Sequence, residues 1–217
     1  MMKILTKLFA LLDYIYYKKC YLCGKKAFEN IVCDSCFLNI CEELEFKKTK
    51  YRNIEIYSAG LYADNLQKLI RAIKYHKKSE FSYALAEILF KLYKNFGEDL
   101  SDYTICAVPI HKNRLKKRKY NHMELICEEF SKLTNINCDF NIIERVKDTP
   151  PLYKYKAGER EEILKNAFHI NGNLSSKKIL LIDDIVTTGT TIKNIVEELK
   201  KSNCPNIKIF CITQAHP

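Results

Sequence analysis

KKILLIDDIVTTGTT, from Lys177 to Thr191, carries the reading of the whole chain. An apolar run from Ile179 to Ile182 ends in two carboxylates, Asp183 and Asp184, as a buried strand does where it leaves a core. The chain then passes through Ile185, Val186, Thr187, Thr188, Gly189, Thr190 and Thr191 into a segment with Ile192, Ile195, Val196 and Leu199 at helical spacing, which predicts a helix from about Thr190 to Ser202. Strand, turn and helix in that order put the turn at the carboxyl end of a strand, where open parallel sheets bind ligands. Gly189 lets backbone N–H groups converge, the threonine hydroxyls add donors, and the helix N-terminus adds partial positive charge. The segment therefore predicts a phosphate cradle. Neither GxxxxGKS/T nor GxGxxG occurs, which disfavours a nucleoside triphosphatase and a Rossmann dehydrogenase. Two acids beside the cradle suit the neighbouring hydroxyls of a ribose 5-phosphate, or a magnesium ion on a pyrophosphate; the plainer alternative is that they cap the turn.

Outward from this stretch, strands and helices alternate. IKIFCIT after the helix and TICAVPI beginning at Thr104 read as buried strands, and IEIYSAGLYA from Ile54 reads as extended. Leu66, Leu69, Ile70 and Ile73 form one helical stripe, and Phe81, Leu85, Leu89, Leu92 and Phe96 form another within a helix from Ser79 to Phe96. A further helix is expected near Asn121 to Leu133, after a basic loop. Alternation of this kind indicates an α/β fold with a mostly parallel sheet flanked by helices. The polar run Lys47 to Arg52 reads as a linker, giving an N-terminal module over 1–46 and a main domain over 54–217.

The 217 residues hold 36 Lys and Arg against 26 Asp and Glu, a formal charge of +10, and this excess fits a phosphate-rich partner, either nucleic acid or a small polyphosphate. Lysine dominates the excess, so the few arginines are more telling: Arg52, Arg71, Arg114, Arg118, Arg145 and Arg160, the last four in the stretch expected to line the site. Arginine forks bind phosphate bidentately. Surface placement is the competing reading for Arg52 and Arg145.

Residues 1–20 show no cleavable signal sequence, and Asp13 interrupts their apolar stretch, so no bilayer span is expected. Ile4, Leu8, Leu11 and Ile15 predict an amphipathic helix that docks on the protein, with a membrane-surface role as the alternative. The protein reads as cytoplasmic, with membrane association left open. Next come Cys20, Cys23, Cys33 and Cys36, two CxxC knuckles nine residues apart. Four thiolates close a tetrahedral site and leave no position for water, so structural zinc is favoured over a redox pair or an iron–sulfur cluster. Cys106, Cys127, Cys138, Cys204 and Cys211 lie singly in apolar segments and read as core residues.

LLIDDIVTTGTT resembles the binding loop of type I phosphoribosyltransferases, and the whole chain resembles the ComF/ComFC competence-protein family. The likeness extends through the paired CxxC, LIRAIKY from Leu69, VPIHKNRLKKRKYN from Val108, and REEILKNAFHI from Arg160. It implies a type I phosphoribosyltransferase-like fold behind an N-terminal four-cysteine zinc module. Asp183 and Asp184 would meet the ribose hydroxyls of phosphoribosyl pyrophosphate, bound with magnesium, and Thr187 to Thr191 would hold its 5-phosphate. Arg114 and Arg118 would lie near the pyrophosphate, and Arg160 would close over the site. Family members usually read Arg-Gly-aromatic-Asn-Gln where this chain has Arg118, Lys119, Tyr120, Asn121 and His122, and Leu152 and Tyr153 stand where a glutamine follows the proline pair.

The window His111 to His122 carries Lys112, Arg114, Lys116, Lys117, Arg118 and Lys119 with Tyr120 and Asn121 and no acid. Such a stripe suits a single strand whose bases stack on the aromatic ring, or equally a pyrophosphate; a solvated basic loop is the plainer reading. His111 is the better-placed general base, and His122 reads as surface or helix-start packing. Lys74, Lys77 and Lys78 extend the positive face. The resemblance favours a binding component of DNA uptake in natural transformation, taking phosphoribosyl pyrophosphate and single-stranded DNA near the uptake machinery at the inner face of the membrane. The alternative is an active phosphoribosyltransferase with an unknown nitrogen acceptor.

Overall fold

The computed structural model describes residues 18–27, 30–51, 53–75, 79–150 and 155–215. The N-terminal helix expected over the first twenty residues, and Arg52, His76, Lys77, Lys78, Leu152, Tyr153 and His216, lie wholly or mainly outside them. The chain divides into two compact units, Met1–Glu43 and Leu44–Pro217. In the first, β1 (Lys18–Lys19) pairs antiparallel with β2 (Lys26–Ala27), and α1 (Asp34–Glu42) follows.

In the second unit the strands are β3 (Lys47–Tyr51), β4 (Ile54–Leu61), β5 (Tyr103–Ala107), β8 (Lys178–Val186) and β9 (Asn206–Gln214), in the spatial order β3-β4-β9-β8-β5. All pairings are parallel except β3 with β4. The supposed linker is thus largely an edge strand. Its residues alternate between partly buried and exposed, and Thr49 and Tyr51 supply the buried side, so a lysine-rich run reads as polar although it pairs. The helices are α2 (Asp64–Tyr75), α3 (Ser82–Phe96) after a 3-10 turn at Ser79–Phe81, α4 (Lys112–Arg118), α5 (His122–Thr134), α6 (Ala157–Leu164) and α7 (Thr190–Lys201). A short pair, β6 (Ile143–Arg145) and β7 (Phe168–Ile170), joins antiparallel apart from the main sheet.

Strand β8 shows how the pattern sets the packing. Side chains alternate across a sheet, so Ile179 and Leu181 join α7, β6 and β7 in one apolar cluster with Ile192, Ile195, Leu199, Ile143 and Phe168. On β9 the same alternation sends Ile209 and Cys211 to that cluster, while Phe210 stacks edge-on against Phe96 of α3 at 5.3 Å. Leu66, Leu69, Ile70 and Ile73 are all buried along α2, as their spacing predicts.

The basic loop is not a loop over most of its length. Lys112–Arg118 is helical, entered through His111, whose Nδ1 accepts the Asn113 N–H at 3.3 Å, and left through Lys119 in the left-handed region at φ 76°. The turn therefore forms around an exposed lysine. A left-handed L-residue costs about 1–2 kcal/mol, while glycine gives back part of that gain in unfolded-chain entropy. Lys119→Gly is expected to stabilise the protein by about 0.5 kcal/mol, seen as a rise of about 1–2 °C in thermal unfolding; a lower Tm would refute this account of the turn.

Candidate functional site

The cradle forms at the end of β8. Gly189, at φ 65°, opens α7, and a Cβ there would stand 2.8 Å from the Tyr51 ring, so β3 packs an aromatic face directly on the loop. Thr188 and Thr190 share a hydroxyl hydrogen bond at 2.8 Å. Arg160, near the start of α6, holds the Tyr155 carbonyl through Nε at 2.8 Å and reaches Thr187 Oγ1 at 3.1 Å and Thr188 Oγ1 at 3.5 Å through one guanidinium nitrogen. Arg160, Asp183 and residues 185–192 line a shallow pocket. The guanidinium and the α7 N-terminus give that pocket positive character.

Asp183 and Asp184 have different surroundings. Asp184 is buried, and its Oδ2 is reached by Lys74 Nζ from α2 at 2.7 Å and by His122 Nε2 from α5. Arg118 stands 2.8 Å from the other ring nitrogen, Nδ1. Arginine only donates, so Nδ1 accepts, the ring is neutral, and Nε2–H donates to Asp184. Burial likewise pulls the His122 pKa down against the pull of Asp184. Burial alone would raise the Asp184 pKa, but the Lys74 ammonium and the His122 hydrogen bond hold it well below the carboxylate range. Asp183, half-buried, is pushed up to about 7 by burial and by the charge on Asp184.

The remaining candidates gather near the same strand ends. Arg114 donates to the Thr149 carbonyl at 2.8 Å, and the buried Arg145 donates to the Thr149 hydroxyl while its Nε has no hydrogen-bond partner. Arg145 is therefore no surface arginine; burial, with Arg114 nearby, brings its pKa down to about 10. His111 is buried, with Nδ1 also 3.4 Å from Asp148. Lys116 and Lys117 are exposed. Tyr120 is half-buried and gives its hydroxyl to the Ile73 carbonyl at 2.7 Å, while Asn121 caps α5 by accepting the Met123 N–H at 3.1 Å and donating to Glu124 at 2.9 Å. The exposed ring here is Tyr75, 65% accessible, with the Arg118 guanidinium 5.8 Å from its centroid.

Comparison with known proteins is consistent with this geometry. The phosphoribosyl transferase domain model matches residues 131–216, which contain the loop. Competence protein F of Haemophilus influenzae is 27% identical over 162 residues, covering 72% of this chain and 71% of the relative. Competence protein ComFC of Streptococcus pneumoniae is 28% identical over 133 residues, covering 58% and 57%. The chain is thus similar in sequence to competence proteins of the ComF/ComFC type and carries a phosphoribosyl transferase domain match. DNA utilization protein YhgH of Escherichia coli K12 is 28% identical over 155 residues, 70% of this chain and 68% of that protein. Among solved structures, adenine phosphoribosyltransferase of Leishmania tarentolae is 11% identical, with a TM-score of 0.41 over 78% of this chain and 94% of that one, too slight a likeness to argue from.

The thiols of Cys20, Cys23, Cys33 and Cys36 all lie within 4.8 Å of one another. Four sulfurs at about 2.3 Å from a tetrahedral zinc stand about 3.8 Å apart, and Cys23 and Cys33 are 3.7 Å apart. The first knuckle turns through Gly24 at φ 75°, whose N–H reaches the Cys20 carbonyl at 2.9 Å, and the second opens α1 at Cys33. The Ser35 hydroxyl, with the Cys36 backbone N–H, draws the Cys33 thiol down to about 6, toward the thiolate a metal requires. The donor set fits a structural metal ion.

Sequence reasoning missed Tyr51, hidden in a run read as a linker, and undervalued Lys74 and His122. Lys74 did carry a signal, since it lies four residues after Ile70 on the apolar stripe of α2, where a lysine needs a buried partner. His122 carried none, because its partner is 62 residues away.

Proposed function

We propose that this chain acts in DNA uptake during natural transformation as a cytoplasmic ComF-type protein that binds phosphoribosyl pyrophosphate with magnesium and, along α4, single-stranded DNA. The observation that carries the reading is the cradle itself: Gly189 in its left-handed turn under Tyr51, with Arg160 above Thr187 and Thr188. Its N–H groups and hydroxyls suit the 5-phosphate, an acid at the end of β8 suits the ribose hydroxyls, and Arg114 and Arg118 suit the pyrophosphate. Lys116 and Lys117 supply backbone charge, and Tyr75, stacked with Arg118, offers a base its π-face. The names of the relatives, competence and DNA-utilization proteins, support the cellular role. Uptake machinery at the inner membrane face is the partner this implies; among the described residues no helix is long and apolar enough to cross a membrane.

Titrating the protein with phosphoribosyl pyrophosphate and magnesium tests the first half, and pyrophosphate release across ammonia, glutamine, nucleobases and single-stranded DNA tests for transfer. Binding without release is expected. Release with one acceptor would instead establish a transferase. For DNA, Lys116→Gln with Lys117→Gln should weaken binding and flatten its salt dependence by about 1.4 in slope, at about 0.7 per single-strand phosphate contact; an unchanged slope would remove α4 from the DNA face.

The cysteine module is assigned structural zinc. Cys33→Ser, or a chelator, should release about one zinc per chain and unfold the module, while the main domain keeps its phosphoribosyl pyrophosphate affinity. A metal-free variant with the module intact would contradict the assignment.

A further inference from the structure

Asp183 and Asp184 are neighbours in sequence but stand on opposite faces of the sheet, because successive side chains of a strand alternate. Asp184 faces α2 and α5. Its Oδ2 takes Lys74 Nζ at 2.7 Å and the His122 ring N–H, and its own carbonyl accepts the buried Thr213 hydroxyl at 3.0 Å. Two donors on one carboxylate oxygen occupy both of its lone pairs. Asp183 faces the other side and lines the pocket with Arg160 and the threonines. Its Oδ1 accepts the Asp184 N–H at 2.9 Å, and among the described residues no side chain donates to it.

We propose that the two acids divide the work of the loop: Lys74 and His122 are positioning residues that commit Asp184 to the scaffold and so fix the end of β8, whereas Asp183 alone is offered to the ligand's hydroxyls. The proposal rests on the phosphoribosyl reading of the site. It also accounts for the histidine at 122. With Arg118 donating to Nδ1 and Nε2–H donating to Asp184, the ring serves as one acceptor and one donor on opposite sides. A glutamine side chain carries the same pair, a carbonyl for Arg118 and an NH2 for Asp184. A glutamine at 122 would therefore keep the link from Arg118 to Asp184 in different atoms.

The test uses the full-length protein, with ribose 5-phosphate, phosphoribosyl pyrophosphate with magnesium, and inorganic phosphate as titrants, and thermal unfolding beside each titration. Asp183→Asn is expected to weaken both ribose ligands about tenfold, the worth of one or two hydrogen bonds to the ribose hydroxyls, with inorganic phosphate affinity held. His122→Gln should match the wild type in both readouts. His122→Leu, which leaves Asp184 and Arg118 without their shared partner, should weaken all three titrants. Wild-type binding that Asp183→Asn leaves unchanged would overturn the division of roles and leave the phosphoribosyl reading standing, as would a His122→Gln protein no better than His122→Leu. A wild type that binds neither ribose ligand would overturn both.

Discussion

Gly189→Ala is expected to disable the loop and to destabilise the main domain by about 2 kcal/mol or more, since a left-handed residue with a side chain already costs about 1–2 kcal/mol. The second contribution is steric. A Cβ at 189 would stand 2.8 Å from two Tyr51 ring atoms and 3.3 Å from the Tyr51 Cβ, whose strand is paired to β4 and has little freedom to retreat. Either the ring or the loop must shift, and a shifted loop no longer directs its N–H groups to one point. The measurement is thermal unfolding together with a phosphoribosyl pyrophosphate titration, and the double variant Gly189→Ala/Tyr51→Ala separates the causes. Removing the ring should restore the steric part of Tm but not the backbone part. A Gly189→Ala protein with wild-type Tm and affinity would show that the turn does not have this conformation.

Lys74→Met is expected to have the second large effect. Asp184 and Lys74 are both largely buried, at 7% and 16% side-chain exposure, so the ammonium cannot be replaced by water without opening the face between α2 and β8. Stranding one partner of a buried pair typically costs about 3–5 kcal/mol. The pH dependence gives the effect a signature. Asp184 is depressed in the folded protein, so it contributes stability that is present above about pH 4, the unfolded carboxylate value, and is lost as pH falls toward the folded one. Without Lys74 the folded pKa rises, and the loss should begin at higher pH. Asp183 has the opposite sign: raised to about 7, it stays protonated in the folded state while the unfolded acid ionises, so its contribution declines from about pH 4 to about pH 7. Unfolding curves of wild type and Lys74→Met from pH 3 to pH 8 check this. A Lys74→Met profile parallel to the wild type would mean that the pair does not hold Asp184 ionised.

Much of the candidate site is legible in the sequence, for a common reason. The loop at 183–191 and the cysteine quartet are made by residues close together in the chain, so composition and spacing are enough to place them: an apolar run ending in acids, a glycine where a left-handed turn is needed, thiols at knuckle spacing. The helices of the main domain were legible through the 3.6-residue period of their buried faces, as along α2 and α7. Strand β3 and helix α4 were not. β3 is an edge strand whose lysines satisfy solvent, and α4 has no buried residue, so neither has an apolar period to read; pairing with β4 reveals the one, and the His111 cap and Lys119 turn bound the other.

The amino-acid order thus accounts for the strand, the loop, the cysteine quartet and the alternation that sends Asp183 and Asp184 to opposite faces. It does not say what waits on each face. Lys74, His122 and Arg118 come from three different helices, and Tyr51 from a strand at the far edge of the sheet, so their meeting with the loop depends on how those elements stack. Burial then changes their chemistry, holding one acid ionised and the other near neutrality, because a charge withdrawn from water takes its free energy from whichever partners folding has placed beside it.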